Sequence, residues 1–95
     1  MDTEEIKLEN GKQAKGIAVP MGPLNVVSVY TETGMIGCGA FDVMALDKFE
    51  YPAGKVTGVA TVEDVLQAEL IQVNQAAQNK GLREGMTGRE ALELL

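Results

Sequence analysis

Residues 24–42 read Leu-Asn-Val-Val-Ser-Val-Tyr-Thr-Glu-Thr-Gly-Met-Ile-Gly-Cys-Gly-Ala-Phe-Asp, and the reading of this stretch decides the fold. Its first seven residues, Leu24 to Tyr30, are rich in β-branched side chains and predict a strand. Thr31 to Gly34 is a turn, and Met35 to Gly39 continues as a shorter, glycine-rich strand. At Asp42 the apolar period changes from two to that of a helix. Asp42 is a helix N-cap residue, and Phe41 and Leu46 occupy the two positions of a hydrophobic staple around a helix to about Phe49.

Upstream of this stretch, Glu5 to Glu9 alternates polar and apolar residues, as a half-buried strand does. Asn10-Gly11 follows at once and predicts a two-residue type I′ turn, since both residues tolerate positive φ. The return strand runs from about Lys12 to Val19, where Pro20-Met21-Gly22-Pro23 breaks the pattern. The first forty residues therefore read as a four-strand meander.

Downstream, Tyr51 to Gly54 reads as a loop and Lys55 to Val59 as a fifth strand. Thr61 caps a helix that carries Val62, Val65 and Leu66 on one side. Leu70 to Lys80 reads as a further helix, ended by Gly81 with Leu82 folding back on Ala77. Thr87-Gly88-Arg89-Glu90 is a capping box that opens a last helix through Leu95. The expected fold class is α/β of the α+β type, a single domain over 1–95. Its sheet is mixed, mainly antiparallel and of about five strands, with three or four helices mostly on one face.

Composition narrows the chemistry. The 95 residues carry a formal net charge of −6 with no basic stripe, so neither nucleic acid nor an anionic membrane surface is an expected partner. With two Tyr, two Phe and no Trp, the core must be built from aliphatic side chains and Met. One cysteine rules out an intramolecular disulfide, and the chain opens without a signal-peptide pattern; the expected location is cytoplasmic. A core this small suits a homo-oligomer.

The absence of histidine excludes Ser-His-Asp and Cys-His catalysis from this chain alone. A zinc site would have to use carboxylates and one thiolate. Asp and Glu leave a Mg²⁺ or Ca²⁺ site open but show no EF-hand spacing and no Asp-x-Asp motif, and no cofactor is expected. Gly34-x-x-Gly37-x-Gly39 is neither a dinucleotide fingerprint nor a P-loop. Two candidate sites stand out. Gly37 and Gly39 are candidate ligand-binding positions, since glycines let a substrate approach the backbone closely, and Cys38 between them, just before a helix start, is a candidate catalytic thiol if the helix terminus lowers its pKa. The alternative is a small buried hydrophobe. Thr87, Gly88 and Arg89 form a candidate anion-binding helix start, or a capping box alone.

Four motifs, taken in order, resemble the YunC-like family of small bacterial and archaeal domains of unknown function. They are Pro23-Leu24 opening an apolar strand, Cys38-Gly39 before a capped helix, Val56-Thr57-Gly58-Val59-Ala60-Thr61-Val62-Glu63-Asp64, and Gly85-Met86-Thr87-Gly88-Arg89-Glu90-Ala91-Leu92. The resemblance implies a compact α/β fold and no activity, cofactor or site residue. Two functions stay open on the residues: an oligomeric domain that binds a small ligand or a protein partner without catalysis of its own, and a cysteine-dependent enzyme or thiol sensor using Cys38. A structural subunit of a larger assembly is a third reading.

Overall fold

The computed structural model describes residues 2–9 and 11–95, with side chains from Thr3 onward. A six-stranded mixed sheet runs in sequence order: β1 (Asp2–Lys7), β2 (Gln13–Met21), β3 (Leu24–Tyr30), β4 (Met35–Gly37), β5 (Ala53–Lys55) and β6 (Gln72–Val73). All neighbours are antiparallel except β4 and β5, which are parallel and joined by a crossover through a 3₁₀ helix, Val43–Phe49. Three α-helices follow: α1 (Val62–Gln67), α2 (Gln75–Asn79) and α3 (Gly88–Glu93). The architecture is the expected α+β class with one strand more than expected.

The local signals fold as their chemistry dictates. Thr61 and Asp64 form a reciprocal capping box at α1, and Thr87 and Glu90 form another at α3. At the end of α2, Gly81 has φ +96; its N–H donates to Gln78 O, and the Leu82 N–H donates to Ala77 O, the full Schellman pattern. Asp42 caps the helix at 43, which closes as 3₁₀ rather than α, and Phe41 and Leu46 pack into one cluster as the staple requires.

Other expectations are corrected. Asn10 lies outside the described residues. On the described side, Gly11 has φ +82, its N–H donates to Leu8 O, and the Leu8 N–H donates to Lys12 O. The reversal is thus closed between Leu8 and Lys12, one residue wider than a two-residue turn, with the glycine in the left-handed position of a bulged hairpin. Pro20 does not end β2. The strand continues to Met21 and turns through Gly22-Pro23, with Gly22 at φ +61 and Met21 paired to Leu24. Among the described residues the β1 ladder reaches only to Ala18, and none of them on that side pairs with Pro20, which lacks an N–H.

The fifth strand is Ala53–Lys55, earlier than expected, because Ala53 and Gly54 pair with Met35 and Ile36. A Cβ on Gly54 would sit 2.6 Å from Leu70 Cδ2 and 3.1 Å from Ile36 Cδ1, so this strand packs close where a glycine permits it. The expected helix over 70–80 is replaced by β6 and the shorter α2. Leu70 pairs its backbone with Met86 and Gly85, and Ile71 with Lys55, which draws residues 70–73 into extended structure.

Paired residues in a sheet share a face. One face carries Ile6, Ala14, Val27, Val29, Ile36 and Val73, and α1 and α3 cover it with Val62, Val65, Leu66, Ala91 and Leu92. The other face carries Met35 and Ala53, and there the 3₁₀ helix packs Val43 and Leu46 into a second, smaller cluster with Tyr30 and Tyr51. Burial, then the nearby Tyr30 phenol, push the Tyr51 phenol above its usual value, so it stays neutral beyond the range where tyrosine ordinarily ionises.

The Asp64 carboxylate accepts from the N–H groups of Ala60 and Thr61, and these bonds hold it below the usual aspartate range. A carboxylate depressed in the folded state stabilises above its unfolded pKa and loses that contribution as pH falls through its folded pKa. Asp64→Asn is therefore expected to destabilise at pH 7 and to converge on the wild type toward pH ~3, in paired denaturant titrations across that range.

Candidate functional site

The sequence-predicted residues do not assemble into one site. Cys38 extends the β3–β4 ladder: its N–H donates to Val27 O at 3.0 Å, and its sulfur accepts the Val27 N–H at 3.5 Å. The residue is buried, 6% exposed. Gly37 beside it is also buried, and a Cβ there would meet the Phe41 ring at 2.5 Å and Met35 Cε at 2.7 Å. The glycine thus admits an aromatic ring of the same chain. Gly39 is exposed, with only Thr57 at ordinary contact distance. A sulfur placed this way reacts through opening of the sheet. Native Cys38 is expected to alkylate at least ~100-fold more slowly than in denaturant, in a thiol-titration time course, because reagents reach buried groups through unfolding.

At the second candidate, Thr87 Oγ1 accepts from the Glu90 N–H, and Glu90 Oε1 accepts from the Thr87 N–H. Gly88 donates its N–H to Ala68 O at 2.9 Å. The Arg89 guanidinium reaches Lys7 O at 3.5 Å. The shallow hollow here, about 350 Å³, is lined by Glu9, Glu90 and Glu93 beside Arg89 and Thr87. Three carboxylates around one guanidinium oppose an incoming anion. Gly88 serves packing, since a Cβ would overlap the Val65 carbonyl oxygen of α1. Asp47 fills the start of α2 in the same way, accepting from the Gln75 and Ala76 N–H groups.

What the structure does present is a surface that glycine and cysteine motifs do not signal. The 3₁₀ helix covers its face of the sheet only over β4 and β5. On β1, β2 and the 24–26 end of β3 that face is open; farther along β3, Ser28 is buried and Tyr30 packs into the second cluster. Met21 and Leu24, directly opposed, are 55% and 54% exposed. Val19 and Val26, the next pair on the same face, are half-buried, as is Ile17 opposite Ser28. Contiguous apolar side chains left in water mark an interaction surface more often than scattered ones do. The signal was present in the alternation of β2, where Ile17, Val19 and Met21 are apolar on the face opposite Ala14, Gly16 and Ala18. Both faces of this strand are apolar, and only one is covered.

The open face runs at one end into a groove of about 660 Å³ lined by Glu5, Lys12, Lys15, Tyr30, Thr33 and Leu95 among others. Lys12 Nζ and Thr33 Oγ1 both donate to Leu95 O at 3.2 Å, which ties the β1–β2 reversal and the β3–β4 turn to the end of the last helix. The rim carries both signs of charge. Among the described residues, no group of three or more His, Cys, Asp or Glu side chains is arranged to hold a metal ion. No helix there is long and apolar enough to cross a membrane.

Three similarities bear on this arrangement. The family model described as domain of unknown function, DUF1805, matches residues 37–95. The uncharacterized protein YunC of Bacillus subtilis (strain 168) is 37% identical over 86 residues, covering 86% of this chain and 85% of the relative. The crystal structure of a protein of unknown function from Thermoplasma acidophilum superimposes with a TM-score of 0.89 at 24% identity, covering 97% of this chain and 89% of the other. That last likeness is one of fold.

Proposed function

Because the chain belongs to the DUF1805, YunC-like family, whose description assigns no activity, we propose from its own surface that it is a docking domain. It binds a protein partner through the open face of β1, β2 and β3, without catalysis of its own. One observation carries this reading: the sheet is helix-covered on one side, and its other side leaves Met21 and Leu24 more than half exposed beside Val19, Val26 and Ile17. Burying such a face releases about 25 cal/mol per Å² of apolar surface, which is the ordinary driving force of association. The thiol reading gains no comparable support, since the Cys38 sulfur faces the Val27 backbone and not a cavity.

The test is site-specific photo-crosslinking in the cells that make the protein. A photoreactive amino acid at Val19 is expected to give one discrete adduct. The same group at Gln78, exposed on α2, is expected to give none. No adduct from Val19, or equal adducts from both positions, overturns the docking reading.

A further inference from the structure

We propose that the occupant of the open face is a second copy of this chain, related by a twofold axis lying along β2. This rests on the docking reading above and names its partner. The 3₁₀ helix and its flanking residues stand on β4 and β5 and reach Tyr30 of β3, so β1, β2 and the 24–26 end of β3 are left to meet another flat surface. Of the in-plane twofold axes that map this patch onto itself, the one along β2 sets its apolar row directly on the same row of the other copy. Ile17, Val19 and Met21 of β2 then lie against their own counterparts, and β1 lies over β3 of the other copy.

Charge points to the same occupant. The chain as a whole carries −6. By the register, the open strands place one carboxylate, Glu5, and two ammonium groups, Lys7 and Lys15, on this face. An acidic molecule that turns its near-neutral face outward offers a second copy its region of least repulsion. A partner of single-sign charge would be matched by a single-sign face. Shape agrees as well: two sheets stack with interdigitating aliphatic side chains ~10 Å apart, and the apolar residues here are exposed Met21 and Leu24 and half-buried Ile17, Val19 and Val26. Three strands ~4.8 Å apart and ~23 Å long offer roughly 300–400 Å² of flat footprint per copy. That is about half the ~800 Å² per partner of a standard interface, so the dimer is expected to be weak and concentration-dependent, with Kd of order micromolar to tens of micromolar.

Light scattering from ~1 to ~500 μM is the experiment, a range that brackets that dissociation constant. The mass is expected to rise from the 10.1 kDa of the chain to twice that value. Ile17→Lys and Val19→Lys are each expected to weaken association at least ~10-fold, while their melting at the lowest concentration stays with the wild type. A short bis-maleimide is expected to join two copies of Val19→Cys and not of Gln78→Cys, the buried native thiol giving little background. A monomer throughout, a dimer that both lysine variants leave intact, or a dimer that Val19→Cys does not crosslink overturns the proposal. An adduct from Val19 whose mass is not that of two chains overturns it too, and leaves the docking reading standing.

Discussion

Gly88→Ala is expected to lower stability by about 3 kcal/mol or more, seen as a drop of ~12–24 °C in the melting temperature of a chain this size. On helix propensity the sign should be the reverse, because alanine is favoured over glycine by ~1 kcal/mol inside a helix. Contact decides it. A Cβ on Gly88 overlaps the Val65 carbonyl oxygen and comes within 3.0 Å of the Val65 carbonyl carbon and 3.3 Å of Leu66 Cα. All three are backbone atoms of α1, so no rotamer change makes room and the helices must part. Val65, Leu66, Ala91, Leu92 and Leu95, all nearly or fully buried, belong to the core that this crossing closes.

Two comparisons isolate the cause. Gly39→Ala, whose Cβ would meet only Thr57 at 3.5 Å, is expected to stay within ~0.5 kcal/mol of the wild type. Gly54→Ala collides with the Leu70 side chain and is expected to be partly rescued by Leu70→Ala. No side-chain substitution should rescue Gly88→Ala. If Gly88→Ala melts with the wild type, α1 and α3 are not held at this separation.

The same glycine shows what the sequence could and could not reveal. Thr87 and Glu90 announce a helix start because their bonds span three residues, and so do Thr61 with Asp64 and Gly81 with Leu82. Such signals are local and were legible. Gly37 reads as a place where a ligand could approach and Gly88 as part of an anion-binding helix start, because a sequence does not show that the Phe41 ring or Val65 fills the space. The misread helix over 70–80 has the same origin. Its Leu, Gln and Ala content favours a helix in isolation, but Leu70 and Ile71 find their backbone partners at Met86, Gly85 and Lys55. Long-range pairing overrides propensity there. The open face was half legible: the two-sided apolar pattern of β2 is in the sequence, while the reach of the 3₁₀ helix, which leaves that face uncovered, is not.

Asn74→Ala is the second large effect, expected to cost about 4 kcal/mol or more, close to what unfolds a marginal domain. Asn74 is fully buried and makes every hydrogen bond its amide can make. Its Oδ1 accepts from the N–H groups of Ala53, at 3.1 Å, and Ala77, at 2.9 Å. Its Nδ2 donates to Val43 O and Tyr51 O, both at 2.9 Å. One side chain thus caps α2 and ties it to β5, to the start of the 3₁₀ helix and to the loop that follows it. Alanine removes the cap, at ~1 kcal/mol. It also strands the buried Ala53 N–H, the buried Val43 carbonyl and the part-buried Tyr51 carbonyl, each at ~1–3 kcal/mol unless water enters. Asn74→Asp separates the two halves of this hub. It keeps the acceptor and the shape, but turns a carboxylate oxygen toward two carbonyl oxygens. Only the protonated acid can donate there, so its folded pKa must rise, and a raised acid loses stability as pH climbs above its unfolded value of ~3.9. Asn74→Asp is therefore expected to sit nearest the wild type at pH ~3–4 and to fall away toward pH 7, while the deficit of Asn74→Ala stays level over that range. Denaturant melts of both variants across pH 3.5–7 read the difference. Parallel pH profiles for the two would mean that the amide donors matter no more than the cap, and that the hub holds α2 alone.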